Sequence, residues 1–234
     1  MTRFRALRIS AWLLLGALVA LGCEAPRFVR FVSPYKDFTC DVPWGWAVYL
    51  DSAGSDYANA TFTGPLDPDF FRGTPSLSVR WYAYGAPHRL PDGSYETYAS
   101  TADFSRQMLR YVYGSKAYTK AGADFDQQLS ASKGVALADA SRVKAGGAEA
   151  THFVVYNTLP APAGMTLGVV QDQERNSVVR QRHAYVLVPM RGGFYALIYP
   201  ATREGFEKHK TSFFHLIKSL KILKEGPAGP AFRP

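Results

Sequence analysis

The sequence predicts an α+β domain, a mostly antiparallel β-sheet flanked by helices in an α/β/α-type sandwich. Three observations carry that expectation. The segments run strands, helix, strands, helix, the order of a layered α+β chain. Gly146-Gly147 separates two strand-like runs, and paired glycines permit the positive φ angles of a primed hairpin turn. Near the C-terminus, Phe206, Phe213, Ile217 and Leu220 recur at helical spacing, with Lys208, Lys210, Lys218 and Lys221 elsewhere around the axis.

Taken in order, Phe38-Thr39-Cys40-Asp41-Val42 alternates like a half-buried strand and is stopped by Pro43. Trp44-Gly45-Trp46 then leads into Ala47-Val48-Tyr49-Leu50. Tyr57 to Thr63 and Ser76 to Tyr84 read as strands, separated by the turn-rich loop Gly64 to Pro75. In the second, Leu77, Val79 and Trp81 share one face while Ser76, Ser78 and Arg80 share the other. That is the pattern of a sheet wet on one side, or covered there by a polar loop. A helix is expected over Tyr95 to Tyr113, capped by Ser94 and stopped by Gly114, with Tyr98, Ala102, Ser105, Leu109 and Val112 on one stripe. Residues Ser115 to Ala140 read as loop with room for a short helix.

The glycine hairpin joins Arg142–Ala145 to Ala148–Asn157. Strands Ser177 to Val188 and Phe194 to Tyr199 follow, the second nearly all apolar and so expected at the centre of the sheet. A last helix spans about Thr202 to Leu223, before a Pro/Gly-rich tail, 225–234.

The N-terminus has another character. Arg3, Arg5 and Arg8 precede an apolar run from Ile9 to Leu21, too short to span a hydrocarbon core of ~30 Å. A basic start, a short apolar stretch and small residues before a cut make a secretory signal, 1–22. Val19-Ala20-Leu21-Gly22-Cys23 resembles a lipobox, although Ala20 and Leu21 depart from its commonest pattern. The resemblance implies a diacylglycerol on the Cys23 sulfur and cleavage just before it. Acyl chains stabilise membrane attachment by about 0.8 kcal/mol per buried CH₂, so the expected lipid partner is the bilayer itself. Glu24, where an aspartate commonly retains such proteins at the inner membrane, points to an outer-membrane lipoprotein facing the periplasm. Residues 23–34 are read as lipidated N-terminus and short tether, and 35–224 as the folded domain.

Cysteine usage agrees with export. Lipidation of Cys23 leaves Cys40 alone, a small buried apolar residue in its strand; a Cys23–Cys40 disulfide is the alternative. Formal charge is +8, and removal of the three leader arginines leaves +5. A mild excess of that sign suits anionic head groups or an acidic partner. No long basic run supports a nucleic-acid role.

Three stretches resemble the PsbP-like superfamily. They are the opening Phe38-Thr39-Cys40-Asp41-Val42-Pro43-Trp44-Gly45-Trp46, the hairpin Val143-Lys144-Ala145-Gly146-Gly147-Ala148-Glu149-Ala150, and the ending Tyr185 to Leu223 with its Gly-Gly turn and closing helix. The likeness covers most of residues 35 to 223, outside the loops Ser115 to Ala140 and Leu159 to Asn176. It implies the same sandwich, and a role as an assembly subunit, a binder of a small GTPase, or an envelope lipoprotein. It supplies no shared catalytic site.

The chemistry-bearing residues are sparse. His152 and His183 lie in expected strands and are the candidates to approach one another as a metal site; no HxH, HxxxH or HExxH spacing supports it, and no cofactor is expected. His209 and His215 are too far apart in a helix to share a turn-to-turn stack. Asp67, Asp69 and Asp92 fall in turns, which attract aspartate for backbone reasons. No serine stands in a nucleophile elbow. Trp44, flanking a strand, and Arg180 and Arg182, sharing a strand face, are the candidate contacts for an envelope or membrane protein; Trp46 and Trp81 are assigned to the core. The expected function is therefore a non-catalytic, membrane-tethered binding or accessory module. The alternative is a carrier or sensor holding a small ligand or metal between sheet and helices.

Overall fold

The computed structural model describes residues 27–51, 57–90, 93–113 and 136–224. The signal sequence, Cys23, Asp92, most of the 115–140 segment and the 225–234 tail lie outside them. The strands are β1 (Phe28–Val32), β2 (Phe38–Pro43), β3 (Ala47–Asp51), β4 (Asn59–Thr63), β5 (Ser76–Ala83), β6 (His88–Arg89) and β7 (Tyr95–Glu96). After α1 (Thr101–Tyr113) come β8 (Ala136–Ala145), β9 (Ala148–Pro160), β10 (Val170–Gln171), β11 (Ser177–Met190) and β12 (Gly193–Thr202), then α2 (Phe206–Ser219) and β13 (Lys221–Ile222).

Alternation along these strands builds one large antiparallel sheet in the order β3-β4-β5-β12-β11-β9-β8, with β10 beside β11. The apolar strand β12 is central, as its composition predicts. Odd and even residues of β12 separate two cores. Tyr195, Leu197 and Tyr199 face one, with Ala184 and Val186 of β11, Leu77 and Val79 of β5, and Phe213, Leu216 and Ile217 of α2. Phe194 and Ala196 face the other, with Tyr185, Leu187 and Phe153 of the sheet, Tyr98 just before α1, and Phe104 within it. A helix on each face makes the expected sandwich.

The segment assigned to a tether behaves differently. Phe28–Val32 is a strand paired antiparallel with β2, and β13 pairs with the other edge of β2. This three-stranded sheet shares the first face with α2, so the fold begins near residue 28 rather than 35. Gly146 and Gly147 take φ +58 and +84, as the primed turn requires.

Helix boundaries also move. The α1 helix starts at Thr101, because Ser100 Oγ accepts the Asp103 N–H at 3.0 Å and Asp103 accepts the Ala99 N–H at 3.0 Å. Ser94 instead precedes β7, which pairs with β6. Residues to Thr202 belong to β12, and α2 begins only after Gly205, whose N–H donates to Thr202 Oγ1 at 3.0 Å.

One buried carboxylate ties these layers together. Asp37, fully buried in the β1–β2 turn, accepts from Ser33 Oγ, from the Ala58 N–H at 2.9 Å and from Tyr195 Oη at 3.0 Å. Its backbone carbonyl accepts the Leu223 N–H at 2.8 Å. Burial, reinforced by the Asp37 charge, pushes the Tyr195 phenol far up, so it stays a donor. Replacement Tyr195→Phe removes one charge-assisted hydrogen bond and is expected to cost about 1–3 kcal/mol. Asp37→Ala strands several donors at once and is expected to cost about 3–5 kcal/mol. Urea unfolding of both variants checks the order; equal stability of Asp37→Ala and the parent would contradict it.

Candidate functional site

The second face of the large sheet is only partly covered by α1. Beyond the helix, the 64–75 loop stands over strands β11 and β12 and walls a cavity of about 390 Å³ that is open to solvent on one side. Its floor follows from strand parity. Gln181 opposes Thr202 and His183 opposes Pro200, so these four lie on one face. Val179 continues the floor, and Phe70, Phe71, Arg72 and Thr74 form the wall.

The wall is held in place by polar ties. Lys208 Nζ of α2 reaches Asp67 Oδ1 at 2.9 Å and Asp69 Oδ2 at 2.5 Å. Thr202 Oγ1 donates to the Asp69 carbonyl, and the Gly168 N–H donates to the Pro68 carbonyl at 2.8 Å. Gly168 has φ +70, and a Cβ there would stand 2.3 Å from the Phe71 nitrogen, so only glycine lets the two loops meet. The aspartates noticed in this loop therefore fasten it rather than form a carboxylate pair for catalysis. Although partial burial opposes it, hydrogen bonds from Lys208 and the Asp69 N–H hold the Asp67 carboxyl below its usual range.

Inside, the Asn157 amide donates to Gln181 Oε1 at 3.3 Å and orients it. His183 is half-buried, and burial pushes its imidazole down to about 4. At neutral pH it is uncharged, able to donate from one nitrogen and accept at the other.

The remaining sequence candidates are scattered. Trp44 is 70% exposed at the tip of the β2–β3 turn, where Gly45 takes φ +81. Trp46 is half-buried beside Gly64 and meets the His209 ring edge-on at 5.4 Å, and Trp81 is in the core. Arg180 pairs with Glu204 at 2.8 Å. Arg182 pairs with Glu207 at 2.6 Å and lies 3.8 Å over the Phe206 ring. Both arginines thus have partners inside the fold, tying β11 to α2 and the turn before it.

The expected approach of His152 and His183 does not occur. His152 opposes Val186 on β11, three residues from His183, and an odd offset along a strand puts two side chains on opposite faces. His152 instead meets Phe214 of α2 at 5.8 Å. Among the described residues no three His, Cys, Asp or Glu converge as a metal site. Cys40 is fully buried, and burial, with Asp41 beside it, pushes its thiol up to about 12, which makes it an inert apolar filler. His215 stacks on Phe28 at 3.7 Å and meets Asp41, itself paired with Arg30, at 3.3 Å, fastening β1 and β2 to α2.

No protein-family model and no curated protein sequence matches the chain. Solved structures similar to it include the cyanobacterial PsbP of Synechocystis, at 12% identity and TM-score 0.44, covering 86% of this chain and 95% of that one. The Ran-binding protein Mog1p of Saccharomyces cerevisiae matches at 8% identity and TM-score 0.45, covering 86% and 97%. LpqN of Mycobacterium tuberculosis, described as involved in cell envelope biogenesis, matches at 11% identity and TM-score 0.39, covering 86% and 93%. The first belongs to the family that the opening strand, the glycine hairpin and the closing helix resemble. At such identities the likeness is one of fold alone.

A pH dependence follows from the floor of the cavity. Burial lowers both His183 and, against the pull of Asp67, His209 in the folded state. The unfolded chain therefore binds more protons as pH falls, and stability present above the unfolded value of 6.5 declines toward about 4. Urea midpoints at about pH 7 and about pH 5 should fall less in His183→Gln than in the parent. An unchanged pH slope in that variant would contradict the assignment.

Proposed function

We propose that this chain is a non-catalytic, membrane-tethered module of the bacterial cell envelope that acts by binding an envelope or membrane protein. The observation that carries this reading is the open edge of the large sheet. Among the described strands, β3 pairs with β4 alone. Its Tyr49 is 63% exposed, Val48 and Leu50 are exposed beside it, and Trp44 stands just before the strand. Sheet edges in soluble proteins are usually blocked by lysine, proline or a covering segment, because an uncovered strand invites pairing. This edge bears aromatic and aliphatic side chains instead, the residue types favoured at the centres of protein contacts.

The expected tether supports the same reading. If Cys23 carries the acyl chains, only four residues separate it from β1. At an extended rise of about 3.3–3.6 Å per residue the domain would stay close to the bilayer surface. Such a module meets partners by being held beside them. Arg180 and Arg182 are left out of the proposed contact because Glu204 and Glu207 already engage them.

Crosslinking in cells, followed by capture of the chain, tests the proposal. The native protein should begin at an acylated Cys23 by mass spectrometry and repeatedly capture the same membrane proteins. Cys23→Ala should lose both the lipid and most of the capture. The full chain with Trp44→Ala and Tyr49→Lys should keep the lipid and lose the capture. A lipidated, folded native protein that captures nothing above background would remove the proposal.

A further inference from the structure

The cavity beneath the 64–75 loop has features that the accessory role does not use. Its volume of about 390 Å³ lies within the range of small-molecule sites. Its walls are mixed. Phe71, Val179 and Pro200 offer apolar surface, while Thr74, Ser76 and Gln181 offer hydrogen-bonding groups. Among the described residues that line it, Arg72 alone carries a charge at neutral pH, since His183 is held neutral and no carboxylate faces inward.

Arg72 is also unusual in its backbone. It takes φ +63, a left-handed conformation that residues other than glycine seldom adopt, followed by Gly73 at φ +74. Conformations of this kind concentrate at ligand clamps and switches, where the surroundings enforce them. Here the surroundings are visible: the Gly73 N–H donates to the Phe70 carbonyl at 2.7 Å, and the Asp67 N–H donates to the Gly73 carbonyl at 2.9 Å. Arg72 lines the cavity and is exposed, its guanidinium 5.4 Å from the Phe71 ring centre. Among the described residues it has no carboxylate partner, unlike Arg180 and Arg182. A planar guanidinium with five donors is suited to a carboxylate, which it can bind through two parallel hydrogen bonds.

We propose that this cavity binds a small free monocarboxylate with an apolar body, its carboxylate paired with Arg72 and its hydrocarbon laid against Phe71 and Pro200. No other described side chain that lines the cavity carries a charge at neutral pH, which fits a ligand that has a single charged end. The site is on the face of the sheet away from α2 and does not depend on the edge of β3. Loss of one function therefore leaves the other measurable.

Equilibrium dialysis of labelled octanoate against the full chain carrying Cys23→Ala tests the proposal, with folding followed by near-ultraviolet circular dichroism. Saturable binding is expected, weakened about tenfold or more in Arg72→Ala and only partly restored in Arg72→Lys, which keeps the charge but not the paired donors. Arg72→Gly, which relaxes the backbone requirement, should lose binding as Arg72→Ala does while remaining folded. Thr74→Trp should block the mouth. Neutral 1-octanol should compete poorly. The proposal is overturned if folded protein shows no saturable binding, or if Arg72→Gly and Thr74→Trp leave binding unchanged. It is equally overturned if octanol competes as well as octanoate, or if phosphatidylglycerol vesicles bind through Arg72 and octanoate does not.

Discussion

The Asp37 carboxylate sits where the small sheet meets the large one, and it has no access to water. A buried carboxylate is costly unless its oxygens are met by donors, and Asp37 is met by Ser33, the Ala58 N–H and Tyr195. Those donors come from the β1–β2 turn, the approach to β4 and the centre of the large sheet. The same residue's carbonyl receives the chain leaving β13. The small sheet can therefore not lift from the large one without stranding a charge among apolar side chains. Phe38, packed edge-on against Tyr195 at 5.8 Å, closes the site from the side. The aromatic shell excludes water, and the exclusion of water makes the hydrogen bonds mandatory.

This constraint reaches function through geometry. The strand nearest the proposed lipid anchor, β1, belongs to the small sheet, so a lipid on Cys23 would stand only four residues from the folded core. The large sheet then presents two different features. Its β3 edge carries exposed aromatic and aliphatic groups, and its second face carries a walled cavity. Tyr199 hydrogen-bonds the Phe206 carbonyl at 3.0 Å, which positions the start of α2. From that start Lys208 reaches across to hold the cavity wall. The cavity wall thus rests on packing established by α2 on the other side of the sheet.

Much of this was legible in the sequence where local pattern decides structure. The alternation of β5, the apolar run of β12, the glycine hairpin and the stripe of α2 each state their own geometry. The lost information is of two kinds. Phe28–Val32 is half-exposed or exposed along its length, so its pattern resembles a linker although hydrogen bonding to β2 makes it a strand. Ser94 and Ser100 are equally good caps by residue type, and the acid three residues after Ser100 is the signal that separates them. The second kind is register. His152 and His183 could be placed on paired strands, yet only the offset between those strands reveals that they face apart. The cavity needed register too, because its wall and floor lie more than 100 residues apart in the chain.

The central claim is that one buried carboxylate makes the tether-proximal sheet and the large sheet a single cooperative unit. Native-state hydrogen exchange of the full chain, read at the amides of β1, β2 and β12, tests this most directly. In the parent protein the β1 and β2 amides should open only with β12, in the global unfolding reaction. In Asp37→Asn, β1 and β2 should exchange by a separate, easier opening while β12 remains protected. If β1 and β2 already open independently in the parent, or if the substitution leaves their exchange tied to β12, the two sheets are coupled by something other than Asp37.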